Sequence, residues 1–205
     1  MRAAGIALLA LLVSACVFRT ADAPRYYRPE AAGLSASATD GEAVPTATVR
    51  LRAMRARPFL RERIVWRTPS EYGMYEQRRW SELPEAYAER ALTAALLRTS
   101  RIAVTDDGGV PALSADVTAF DEVLAPAHVA NVALTVSLTD PSGHRLLERT
   151  FSSEVPVTEG TAHALAHAIG AALDDVCDQV ARSVATALRP LPHGRPRGKR
   201  PQPST

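Results

Sequence analysis

The sequence predicts an α+β fold: a two-layer α/β sandwich in which a mixed, largely antiparallel sheet carries two helices packed on one face. Three observations lead there. Short stretches between residues 48 and 155 alternate apolar with polar side chains, the period of a strand with one buried face. Two longer stretches carry apolar residues at helical spacing and on one side only. Their order is strands, a helix, four more strands and a helix, which leaves the far face of the sheet to solvent or to a partner.

At the start of the chain, Arg2 precedes an apolar run from Ile6 to Val13 that ends in Leu12-Val13-Ser14-Ala15-Cys16. A charged start, an apolar middle and small residues before a cut describe a signal peptide over residues 1–15. The run is too short to span a bilayer, which takes about 20 residues. The cut abuts a cysteine, as in a bacterial lipobox, so Cys16 is the expected lipidation site and first mature residue. Buried methylenes contribute about 0.8 kcal/mol each, and several acyl chains together hold a protein stably at a membrane.

Residues 16–25 form a short tether, and the domain is expected over 26–188. The stretch from Cys16 to Tyr27 reaches roughly 35–40 Å when extended, at about 3.3–3.6 Å per residue. Arg25-Tyr26-Tyr27-Arg28-Pro29 reads as a brief extended segment, and Ala31 to Thr46 as a small-residue loop. Thr48 to Met54 alternates apolar residues with arginine and predicts a strand. Glu62 to Arg67 predicts a second, with Ile64 and Trp66 on one face. After the Thr68-Pro69-Ser70 turn, Glu71 to Gln77 predicts another, with Tyr75 and either Tyr72 or Met74 inward.

Trp80 to Glu85 opens the first helix, where proline is tolerated and acids favour the positive end of the dipole. Ala88, Leu92, Ala95 and Leu96 form its buried face, and it ends near Thr99-Ser100. Arg101 to Thr105 is a strand stopped by Asp106-Asp107-Gly108-Gly109. Leu113, Ala115, Val117 and Ala119 alternate in the next strand; Val132, Leu134, Val136 and Leu138 alternate in the one after it. Asp140-Pro141-Ser142-Gly143 turns the chain into a third strand, Arg145 to Val155, completing an antiparallel meander. The last helix runs from Thr158 to about Leu188, capped by Thr158 or Thr161. Leu165, Ile169, Leu173, Val176, Val180 and Val184 share one face; His163, His167, Asp174 and Asp178 share the opposite one. Cys177 borders the apolar stripe, which predicts a buried thiol. Residues 189–205 are basic and proline-rich, and are expected to be disordered. Two readings attach to this tail: a solvated end, or weak attraction to an anionic envelope surface.

The balance of charges, +2 overall, gives no field that argues for nucleic acid. Only Lys199 among 24 basic residues is lysine. No G-x-x-x-x-G-K-S phosphate loop and no G-x-S-x-G elbow occurs, and Asp121, His128 and Ser142 have no triad spacing. His163 and His167 are four apart, but Ala164 stands where a zinc protease has glutamate, so neither a metal nor another cofactor is expected. Trp66, Tyr72, Tyr75 and Trp80 read individually as core residues. As a cluster beside a helix start, they are the expected partner or lipid contacts.

Taken in order, several pieces resemble the ABC-type transport auxiliary lipoprotein family, which includes the paraquat-inducible C-type lipoproteins. They are Cys16; Tyr26-Tyr27-Arg28; Pro58, Leu60 and Ile64-Val65-Trp66-Arg67; Tyr72 to Tyr75; Trp80 with Pro84; and Phe120, Gly143 and Phe151 in the meander. The resemblance implies a non-enzymatic envelope lipoprotein. It would work beside an ABC permease and ATPase and an MCE-domain protein, moving lipid or other hydrophobic molecules between inner and outer membranes. A homo-oligomeric ring whose bore passes lipid fits this reading. Val17, where enteric retention uses aspartate, implies the outer membrane, facing the periplasm. The alternative is a structural or assembly lipoprotein of an outer-membrane or secretion complex.

Overall fold

One long strand organises the sheet. In the computed structural model, which describes residues 22–35 and 44–189, β7 (Ala112–Val123) pairs along its length with β8 (Val129–Thr139). The same antiparallel pairing joins β8 to β9 (Arg145–Pro156). The other edge of β7 is covered by three short strands laid end to end, all parallel to it. β2 (Ala47–Leu51) meets Ala112 and Leu113, β3 (Arg55–Ala56) meets Asp116 and Val117, and β4 (Arg63–Arg67) meets Asp121 to Val123. Beyond β4 lie antiparallel β5 (Tyr72–Trp80) and then parallel β1 (Arg25–Tyr27); β6 (Ile102–Val104) adds to β2. Among the described residues these make one mixed nine-stranded sheet whose longest ladders are antiparallel.

Two long helices, α2 (Pro84–Ser100) and α3 (Ala162–Ala187), pack against each other and on one face of the sheet. The expected stripe Leu165, Ile169, Leu173, Val176, Val180 and Val184 is wholly buried, as are Ala88, Leu92, Ala95 and Leu96 of α2. Thr161 is the cap of α3: its Oγ1 accepts the Ala164 N–H at 3.1 Å, satisfying one of the free amides of the first turn. Arg101, in the left-handed conformation at φ 51°, ends α2 and donates its N–H to Leu97. The two helices are also tied polar to polar, since Arg98 Nη2 and Thr99 Oγ1 both donate to Asp178 Oδ1, at 2.9 and 2.7 Å.

Several elements differ from the sequence reading, each for a local reason. The expected strand Thr48–Met54 stops at Leu51: Arg52 still donates its N–H to Leu113 at 2.8 Å, Met54 turns into the core, and a separate short strand follows at Arg55–Ala56. A register shift between Val117 and Ala119 exchanges the faces of β7, so Phe120 rather than Ala119 enters the core. Another shift, between Arg63 and Val65, buries consecutive Ile64 and Val65 and leaves Trp66 half-buried. Trp80 closes β5 instead of opening the helix, which begins at Pro84. Inside the predicted loop after Ala31 there is one helical turn, α1 (Ala32–Ser35). The leader, Cys16 and the tail from residue 190 lie outside the described residues.

The polar side of α3 is only partly a solvent face. Asp174 accepts the Ala32 N–H at 2.6 Å through Oδ2 and the Gly33 N–H at 3.1 Å through Oδ1, satisfying the first amides of α1. His163 meets the Tyr27 ring edge-on at 5.4 Å. Residues 27–34 thus form a strap across both helices, and Gly170 lets it lie against α3. Cys177 is fully buried and free. Burial pushes its thiol well above the usual range, the Asp174 and Asp178 charges add to that, and Arg98 opposes it. A maleimide should therefore leave Cys177 unmodified in native protein and label it once guanidinium unfolds the chain. Peptide mapping after each treatment measures this, and native labelling would contradict the buried placement.

Candidate functional site

One end of the sheet gathers chemistry from four strands. The register sets Trp66 of β4 beside Glu122 of β7 and Gly73 of β5, and sets Glu122 opposite Ala130 of β8. Glu122 is buried, and a carboxylate there is tolerable only with partners. Tyr75 Oη donates to its Oε2 at 2.7 Å, and His128 Nε2 lies 2.7 Å from its Oε1. The adjacent Asp121 is buried as well, accepting from Arg67 Nε and from Asn131 Nδ2 at 2.9 Å. Burial pushes Asp121 above its ordinary value, while the Arg67 charge and the Asn131 hydrogen bond hold it down.

Tyr75 is pushed up to about 12, first by burial and then by its bond to Glu122 and the Glu122 charge, with Arg78 opposing. The sign of the linkage follows. A group raised on folding contributes stability that is complete below its unfolded value near pH 10 and vanishes as pH rises through about 12. Tyr75→Phe should therefore lose stability relative to wild type at neutral pH, and the gap should narrow between about pH 10 and 12. Urea titrations of both proteins across that range check it, and a constant gap would refute it.

The four expected contact aromatics do not form one surface. Trp80 is 1% exposed, edge-on to Phe120 at 5.3 Å. Tyr87 of α2 stacks on the same Phe120 at 6.4 Å. Tyr72 is 67% exposed and tilted against Phe59 at 5.7 Å. Met74, not Tyr72, is the more inward of the two alternatives on β5, packing with Tyr75 at the core margin. Trp66 and Tyr75 flank the Glu122 cluster. Elsewhere, an open groove of about 530 Å³ runs between β9 and the end of α3, with Leu146, Phe151 and Ala187 along it and Arg149 and Arg182 at its sides.

His128 and Asp121, scattered in the sequence, have separate partners: His128 faces Glu122, and Asp121 faces Arg67 and Asn131. Among the described residues no group of three His, Cys, Asp or Glu side chains converges to hold a metal. No helix among them is long and apolar enough to cross a membrane.

The model of the family described as "ABC-type transport auxiliary lipoprotein component" matches residues 32–181. The chain belongs to this family. Among solved structures, the auxiliary lipoprotein is similar to protein XCC0632 from Xanthomonas campestris, a DUF330 protein, at 22% identity and a TM-score of 0.66, covering 80% of this chain and 96% of that one. It is also similar to an uncharacterized protein at 13% identity and a TM-score of 0.64, covering 80% and 99%. At these identities the likeness concerns the fold. No curated protein matches the sequence.

The polar cluster of the auxiliary lipoprotein escaped the sequence reading. Tyr75 and Glu122 lie far apart in the chain, and only the registers of β4 with β5 and β7 bring them together. One signal was available: Asp121-Glu122 interrupts an otherwise apolar strand end, and two adjacent carboxylates on opposite faces of a central strand both need partners.

Proposed function

We propose that this protein is an envelope lipoprotein anchored through Cys16, acting as the non-enzymatic auxiliary component of an ABC transport system coupled to an MCE-domain protein. Its cargo is lipid or another hydrophobic molecule passing between inner and outer membranes, and its place is the outer membrane, facing the periplasm. The observation that carries the reading is the family match over residues 32–181, preceded in the chain by the lipobox pattern at Cys16. The buried carboxylates suit an adaptor role, since Asp121 and Glu122 are each paired within the sheet.

Trp66, Tyr72 and Tyr75, at the solvent-reaching end of β4 and β5, are the partner or lipid contacts in this proposal. Trp80, at the opposite end of β5 and packed on Phe120 in the core, is not part of that surface. Crosslinking in intact envelopes, followed by mass spectrometry, tests the assignment. Recovery of a permease, an ATPase and an MCE protein is expected; recovery of secretion components alone would replace it with the assembly reading. Tyr72→Ser should stay within about 0.5 kcal/mol of wild-type stability while reducing crosslink yield. Undiminished crosslinking would move the contact elsewhere. Palmitate labelling that is lost in Cys16→Ser tests the anchor.

A further inference from the structure

Among the described residues β1 is the outermost strand on its side of the sheet, and this edge concentrates positive charge. The pairing of β1 with β5 sets Arg25 directly beside Arg78, and sets Tyr26 beside Arg79. The pairing of β5 with β4 sets Arg79 opposite Arg63. Like charges directly opposed across strands repel one another. Acidic relief is thin: Glu62 Oε2 is 3.7 Å from Arg79 Nη1, and among the described residues no carboxylate lies within ion-pair distance of Arg25, Arg63 or Arg78. Arg78 instead sits over the Tyr75 ring at 4.3 Å, and Glu76 is exposed without an ion-pair partner among the described residues. Because neighbouring residues alternate sides, Arg25 and Arg78 lie on one face of the edge and Arg63 and Arg79 on the other. Tyr26, 59% exposed, is registered with Arg79 and shares the face of Arg63 and Arg79, and Arg28 follows just beyond.

We propose that this edge rests on an anionic bilayer, its arginines meeting the phosphates of the leaflet that holds the protein's own acyl chains. The proposal rests on the anchor at Cys16. Chain length favours a bilayer over an acidic partner protein, because the stretch from Cys16 to Arg25 extends to about 30 Å at most, at roughly 3.3–3.6 Å per residue. The edge is therefore the part of the fold held nearest the membrane, where surface charge acts within about 8 Å at physiological salt. Charge on both faces of a strand edge suits a surface met edge-on, and an exposed tyrosine beside these cations is the aromatic favoured at headgroup level. Guanidinium groups also match phosphate in geometry.

Hydroxyl-radical footprinting of the full lipidated protein tests this, in vesicles of phosphatidylcholine alone or with one-third phosphatidylglycerol. Oxidation of Tyr26 should fall by about threefold or more on the anionic vesicles, in line with attraction by several basic residues, while exposed His144 on the β8–β9 turn of the same protein stays unchanged. High salt and the triple variant Arg25→Glu/Arg63→Glu/Arg78→Glu should each restore Tyr26 oxidation; the salt arm needs no mutation and stands if the variant folds poorly. Equal Tyr26 oxidation on both vesicles, or protection by inorganic phosphate on neutral vesicles, would overturn the bilayer assignment. Flotation with neutral vesicles reports the anchor separately. Failure to float overturns the anchor at Cys16, whereas flotation with unprotected Tyr26 overturns only the basic edge.

Discussion

Alanine at position 170 is expected to destabilise the protein by about 1–3 kcal/mol, although the same change in an ordinary helix interior stabilises by about 1 kcal/mol. The sign follows from the strap. A β-carbon on Gly170 would lie 2.4 Å from the carbonyl carbon and oxygen of Glu30 and 2.7 Å from its nitrogen, all backbone atoms that cannot rotate aside. Either the strap lifts or α3 shifts, and the core behind it is close-packed. Lifting the strap also strains the Asp174 bonds to Ala32 and Gly33. Asp174→Ala, which removes both acceptors without a clash, should cost about 1 kcal/mol, as loss of a helix cap does. Urea midpoints with unchanged m values measure both, and hydrogen exchange at Ala32 and Gly33 should quicken in each variant. A Gly170→Ala protein more stable than wild type would refute the close approach.

Trp80→Ala should cost about 3–5 kcal/mol, the range for emptying a large aromatic from a core. The indole is enclosed by the strand end, by Phe120 and by the residues around Tyr87, so its removal leaves a cavity that neighbouring rings cannot close without losing their own contacts. Trp80→Phe should cost much less, about 1–2 kcal/mol. The buried indole N–H has no hydrogen-bond partner among the described residues, so phenylalanine removes an unsatisfied donor along with some area. Equilibrium urea unfolding of the three proteins checks the order. Equal losses for Phe and Ala would mean that the indole nitrogen contributes a bond, contrary to the geometry. The contrast with Tyr72→Ser separates folding from contact: one variant loses stability, the other only its exposed ring.

How far the sequence could be read depended on the range of the interactions. The meander was legible because period-two alternation and the Asp140–Gly143 turn are local, and the turn is held by the His144 N–H donating to Asp140 Oδ1 at 2.8 Å. The α3 stripe was legible for the same reason, although choosing Thr161 over Thr158 as its cap required the hydrogen bond. Ala119 was read with the apolar set where the structure buries Phe120, because a one-residue shift in β7 leaves no mark in the alternation until its partner strand is known. Asp174 and Asp178 resembled ordinary surface acids. Their partners, Ala32, Gly33, Arg98 and Thr99, lie on elements far away in the chain, and no helical periodicity reports them. The parallel attachment of β2, β3 and β4 was equally hidden, since parallel pairing joins segments by register alone.

That attachment dictates when the first half of the molecule can take shape. β2, β3 and β4 have no common neighbour until Ala112–Val123 is available as their template, and that strand in turn is partnered by β8. A chain delivered from its N-terminal end stays without its shared ladder until well past its midpoint, because non-local pairing must await the later segment. The topology thus leaves the early residues without their shared template, and defers closure of the domain until most of the polypeptide is present.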